Sequence, residues 1–163
     1  MELTDLLTSE SVIADLRVTS KKQALQELAR HMAGLAELHE RAVFDVLIER
    51  ERLGTTGVGN GIAIPHGKLP NLNRLYGLFA RLEKPIDFHA IDDQPVDLIF
   101  LLLAPETAGA DHLKALARVS RLLRDQAVCE KLRGTDSAEA LFALLTESAE
   151  HRAALRLQKT SKL

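Results

Sequence analysis

Val96-Asp97-Leu98-Ile99-Phe100-Leu101-Leu102-Leu103, closed by Ala104-Pro105, is the stretch on which the reading of the fold turns. An apolar run this continuous suits a strand covered on both faces, since a strand with one wet face alternates apolar with polar. Periodicity alone leaves a buried helix open, so the flanks must arbitrate. Upstream, Leu75 to Leu82 reads as a second strand, ended by a turn around Lys84-Pro85. Downstream, Asp111 suits the N-cap of a helix that carries Leu116, Val119 and Leu123 along one face. Strands bordered by helices give the α/β class, with a mixed β-sheet flanked by helices.

Farther out, Ser20-Lys21-Lys22-Gln23 has the form of a capping box. Ala24, Leu25, Leu28, Met32 and Leu35 then recur at helical spacing near the breaker Gly34. A second helix is expected from about Glu40 to Leu53, stopped by Gly54, and an extended piece from Gly61 to Ile64. Ala127 to Leu132 reads as a short helix ending at Gly134, and Asp136 with Glu139 as the cap of another that holds Leu141, Phe142 and Leu145. No repeat or linker divides the chain. The expected organisation is a single domain over 1–147 and a polar, basic, frayed tail over 148–163.

Composition narrows the function. A length of 163 residues suits one domain with a substantial core. The formal charge of -2 offers no basic footprint for a nucleic-acid backbone. The lone Cys129 cannot form an internal disulfide and fits a reducing compartment. No apolar run approaches the roughly 20 residues that a membrane span needs. Met1-Glu2-Leu3-Thr4-Asp5 lacks the basic segment of a signal peptide, so a cytoplasmic protein is expected.

The segment Gly54-Thr55-Thr56-Gly57-Val58-Gly59-Asn60-Gly61-Ile62-Ala63-Ile64-Pro65-His66-Gly67-Lys68 is the chemically suggestive one. Glycines let backbone approach a ligand closely, and Pro65 fixes the chain just before His66. Neutral imidazole is a nucleophile near pH 7, so this mount favours chemistry at His66 over a structural loop histidine. Nucleotide fingerprints fail on spacing. A dinucleotide motif needs glycine where Ile62 stands, and a phosphate-binding loop needs glycine at Ile62 and Ser or Thr at Leu69. The six histidines are scattered and no metal-ligand spacing occurs, so no metal or cofactor is expected. None of the serines lies in a nucleophile-elbow sequence. His112, next to the expected cap Asp111, reads either as an exposed first-turn histidine or as an anion contact at a helix N-terminus. Arg50, within Glu49-Arg50-Glu51-Arg52, reads from composition alone as a surface charge. His31, His39, His89 and His151 carry no supporting pattern.

Arg50 through Lys68, taken whole, resembles the active-site signature of the enzyme IIA domains of the mannitol/fructose class in the bacterial phosphoenolpyruvate phosphotransferase system. The likeness is greatest to the stand-alone, nitrogen-related branch. Pro85-Ile86-Asp87-Phe88, Asp92-Asp93-Gln94-Pro95-Val96-Asp97-Leu98 and Asp111-His112-Leu113 match in order, so the resemblance spans about Leu3 to Thr146. It implies that family's mixed sheet flanked by helices, and a phosphocarrier that takes a phosphoryl group on His66 from a phosphohistidine carrier protein. It further implies that His112 and Arg50 assist at the phosphoryl group, and it makes Thr56 a candidate hydroxyl donor. Thr55 departs from the serine common there but keeps the hydroxyl. In the regulatory branch, phosphorylation would control docking on targets such as potassium-transport components or sensor kinases. The alternatives are a IIA unit for sugar uptake, passing phosphate to a IIB domain, and a binding module that never turns over phosphate.

Overall fold

The computed structural model describes residues 1–147. The expected tail, with His151 in it, lies outside the described residues. Two 3-10 turns, Leu3–Asp5 and Ser9–Ser11, lead into strand β1 (Val12–Leu16) and helices α1 (Lys21–Ala36) and α2 (Glu40–Arg52). Three short strands follow: β2 (Gly57–Gly59), β3 (Ile62–Ala63) and β4 (His66–Leu69). The long strands β5 (Tyr76–Ile86) and β6 (Val96–Pro105) precede helices α3 (Ala110–Arg124), α4 (Gln126–Arg133) and α5 (Ala138–Thr146).

β6 is the spine of a six-stranded sheet ordered β1-β5-β6-β3-β2, with β4 also paired to β6. β5 runs antiparallel along one side of it, and β3 and then β4 run parallel along the other. Every residue from Leu98 to Ala104 is fully buried, at 0% exposure, which decides for a strand with two covered faces. Its side chains alternate as a pleat requires. Ile99, Leu101 and Leu103 join the core under α1 and α2, with Leu25, Leu28, Met32, Val43 and Leu47. Leu98, Phe100 and Leu102 join the core under α3, α4 and α5, with Val119, Leu132 and Leu141. Each such burial contributes about 1.5–3 kcal/mol, so the helices on both faces are held by the same strand.

Several local expectations are corrected. Gly34 does not end α1, which runs on to Ala36 and stops at Glu37 in the left-handed conformation (φ 56). One helical glycine costs about 1 kcal/mol, less than the burial of Leu28 and Met32 around it returns. Lys84-Pro85 is no turn but lies inside β5. The missing amide is tolerated because pairing with β6 is irregular between Arg81 and Ile86, and the matched register with β1 ends at Leu82. Gly109 (φ 54) caps α3, and Asp111 falls in the first turn, where a carboxylate still favours the helix dipole. Ser137, rather than Asp136, caps α5 by accepting from the Ala140 amide. The Ser20 cap is half of a box: Ser20 accepts from the Gln23 amide, while the Gln23 side chain accepts from the Thr19 amide.

Candidate functional site

His66 opens β4 opposite Leu102 of β6. Soon after Leu102, β6 ends at Pro105, and the link 106–109 delivers α3 with His112 in its first turn. The two imidazole rings lie 5.7 Å apart between centroids, inclined at 49°. Arg50 arrives from the last turn of α2, donating from Nε to His66 Nε2 at 3.3 Å and from Nη1 to the Gly54 carbonyl at 2.9 Å. Gly67 permits the approach, because a Cβ there would overlap Cγ1 of Val46 on α2. Val46 and Arg50 are one helical turn apart on the same face, so Val46 against Gly67 places Arg50 against His66. The fold thus brings together His66, His112 and Arg50 from three elements.

The hydrogen bonds fix the state of the His66 ring. His66 Nδ1 is 2.9 Å from the Ile64 carbonyl, which can only accept, so Nδ1 carries the proton. Nε2 then holds a lone pair, the acceptor that the Arg50 Nε–H requires. Burial lowers the His66 pKa; the Ile64 carbonyl opposes, Arg50 lowers it further and Glu51 raises it, and the net shift is downward. His112 is 7% exposed, and burial, then His66 and Lys68, lower its pKa also. Its Nδ1 is buried without a partner among the described residues.

Thr56 is 3% exposed and faces Glu51. Its amide donates to Glu51 Oε2 at 3.1 Å, and its hydroxyl donates to Glu51 Oε1. Glu51 in turn pairs with Lys21 Nζ at 2.6 Å, and Lys21 sits over the Phe88 ring. Thr55 uses its hydroxyl locally, donating to the Phe88 carbonyl and accepting from the Gly57 amide.

Residues 5–148 match the family model for the phosphoenolpyruvate-dependent sugar phosphotransferase system, EIIA 2. The chain belongs to this enzyme IIA family. It is 62% identical over 145 residues to a nitrogen regulatory protein of Bradyrhizobium diazoefficiens, covering 89% of this chain and 95% of that one. The crystal structure of nitrogen regulatory protein IIA-Ntr from Neisseria meningitidis superposes with a TM-score of 0.84 at 36% identity, covering 88% of this chain and 99% of that one. The mannitol IIA of Escherichia coli shares the fold, with a TM-score of 0.73 at 21% identity over 85% of this chain and 98% of that one.

The enzyme IIA fold explains why some of the site was hidden in the sequence. Glu51 looks like one member of a surface charge run, yet it lies four residues after buried Leu47 and eight after buried Val43. Helical spacing therefore puts it on the covered face, with its side chain 6% exposed, while Glu49 and Arg52 point to solvent. Lys21 has no such signal, since its partner is thirty residues away. The other described histidines stay apart: His31 is half-buried on α1, His39 precedes α2 without a side-chain cap bond, and His89 is exposed near Asp87. Among the described residues no cluster of His, Cys, Asp or Glu is set to hold a metal ion. No described helix is long and apolar enough to cross a membrane.

Proposed function

We propose that this enzyme IIA is a regulatory phosphocarrier that accepts a phosphoryl group on Nε2 of His66 from a phosphohistidine carrier protein. The observation that carries the reading is the polarity of the His66 ring: proton on Nδ1 toward Ile64, lone pair on Nε2 toward Arg50. Attack by Nε2 forms the new N–P bond as the donor's N–P bond breaks, its electron pair returning to the donor ring. Positive charge develops on His66 as negative charge passes into the site. The Ile64 carbonyl stabilises the Nδ1–H, and Arg50 and the His112 ring are donors for the phosphoryl oxygens. The first turn of α3 adds the positive end of a helix dipole. Thr56, whose hydroxyl is taken by Glu51, serves the loop rather than the phosphoryl group.

The likeness to nitrogen regulatory proteins supports the regulatory branch over sugar uptake. A doubly charged group on His66 would then switch docking on a target protein. Its test is phosphoryl transfer from phosphoenolpyruvate through the general enzyme and the histidine carrier, read by intact mass and phosphorus NMR. Wild type should gain one acid-labile group, His66→Ala none, and His112→Ala one at a reduced rate. Label on His66→Ala equal to wild type would sink the assignment, and onward transfer to a sugar IIB domain would favour the uptake reading.

A further inference from the structure

An unbroken line of hydrogen bonds runs from the start of α1 to the nucleophile. Lys21 Nζ contacts Glu51 at 2.6 Å, and Glu51 accepts the Thr56 amide at 3.1 Å. The Thr56 carbonyl accepts the Ile64 amide at 2.9 Å, and the Ile64 carbonyl accepts Nδ1–H of His66 at 2.9 Å. Each link leaves the next little freedom. Pro65 confines Ile64 to extended backbone, so the direction of the Ile64 carbonyl follows from where its own amide is held. The last turn of α2 grips the intervening loop twice, with Arg50 on the Gly54 carbonyl and Glu51 on the Thr56 amide.

We propose that Glu51 is a positioning residue for phosphoryl transfer: held by Lys21, it fixes the Thr56 peptide and, through Ile64, keeps His66 in the Nδ1–H tautomer with Nε2 free to attack. The inference rests on the acceptor role of His66 proposed above. Stability alone is a poor account of the pair, because desolvation offsets the attraction between charges buried this deeply, with side chains 6% and 18% exposed. What the pair does distinctively is to present one carboxylate to both the amide and the hydroxyl of Thr56. Without it the Thr56 amide lacks its acceptor, the Ile64 carbonyl is no longer aimed, and only the Arg50 Nε–H still opposes a proton on Nε2 of the neutral His66 ring. A ring in that state offers Arg50 a donor instead of a lone pair and cannot attack.

The tautomer arm of the test needs no phosphoryl donor, and a rate arm uses phosphorylated carrier. Long-range proton–nitrogen NMR of nitrogen-labelled histidine reports the tautomer of His66 in wild type, Glu51→Ala and the neutral, nearly isosteric pair Lys21→Met with Glu51→Gln. Wild type should show the Nδ1–H form alone. Glu51→Ala should show a mixture and accept phosphoryl roughly 10- to 100-fold more slowly, the scale of a misplaced reactive group. The double variant keeps an acceptor for Thr56 and should recover the single tautomer and most of the rate. A folded Glu51→Ala protein with the wild-type tautomer would overturn the proposal, as would a double variant with a mixed one. Wild type that accepts no phosphoryl group would overturn the function above, while the tautomer spectra still decide the role of Glu51.

Discussion

Arg50→Lys keeps the positive charge and removes the fork, which makes it the sharpest probe of the site. The guanidinium reaches the Gly54 carbonyl at 2.9 Å and His66 Nε2 at 3.3 Å with different nitrogens. A lysine has one ammonium, a compact charge on a flexible stem, and cannot hold both geometries. On the proposed reading, as phosphoryl arrives on Nε2, Arg50 exchanges a contact with a neutral ring nitrogen for contacts with charged oxygens, so its interaction strengthens toward the transition state. A hydrogen bond to a charged group is worth about 1.5–3 kcal/mol. Losing one of them while retaining the charge should slow acceptance roughly 10- to 150-fold. Single-turnover transfer from purified phosphorylated carrier, followed by rapid quench, measures this directly. A rate for Arg50→Lys within threefold of wild type, in a protein of unchanged stability, would refute the claim that the anchored fork matters.

Two other perturbations follow from the same geometry. Because His66 and His112 both titrate below the ordinary value of 6.5, acceptance should hold as pH falls through 6.5 and decline only below it; a rate already falling above 6.5 contradicts this. The sign for stability is the same: the unfolded rings take up protons first, so stability present above 6.5 is lost as pH falls toward the folded values, and denaturant midpoints should show His66→Ala less pH-sensitive than wild type. Gly67→Ala should cost about 1–3 kcal/mol through overpacking against Val46, and Val46→Ala in the same chain should restore much of it; an unaltered midpoint in the single variant would show that β4 and α2 part without strain.

How much of this was legible in the sequence depends on whether a residue's partners are near it in the chain. β6 and the helices could be read because runs such as Leu98 to Ala104, or Leu25, Leu28 and Met32, carry their period within themselves. β1 and β4 could not, since Val12–Leu16 gains its pairing from β5 and His66–Leu69 from β6. β3 lies within the extended piece expected from Gly61 to Ile64, and its antiparallel partner β2 is marked by the turn between them. Asn60-Gly61, with φ of 56 and 80, is a two-residue hairpin turn, and that dipeptide is among the strongest local markers of one. The glycines around it draw the eye toward phosphate binding, yet Gly61 serves this turn and packs where a Cβ would meet Asp97 and Arg133.

His66, the acceptor proposed above, stood out because its setting is written into its own neighbours, Pro65 and Gly67. The side chains gathered around it did not, because the fold has to supply them. Arg50 reaches the site only because Val46, one turn earlier, closes on Gly67; Glu51 is buried only because Leu47, one turn earlier, is buried beneath α2. Two neighbouring residues of one charge run are thus sorted to different faces by the packing of the turn below them. Arg50 is placed on Nε2 of His66 and Glu51 on the loop that leads, through Thr56 and Ile64, to its Nδ1. Packing and chemistry are therefore not separable at this helix end: a change at Val46 or Leu47 that shifts the register of α2 by a fraction of a turn would move both groups at once, and with them the tautomer and the electrostatics of His66.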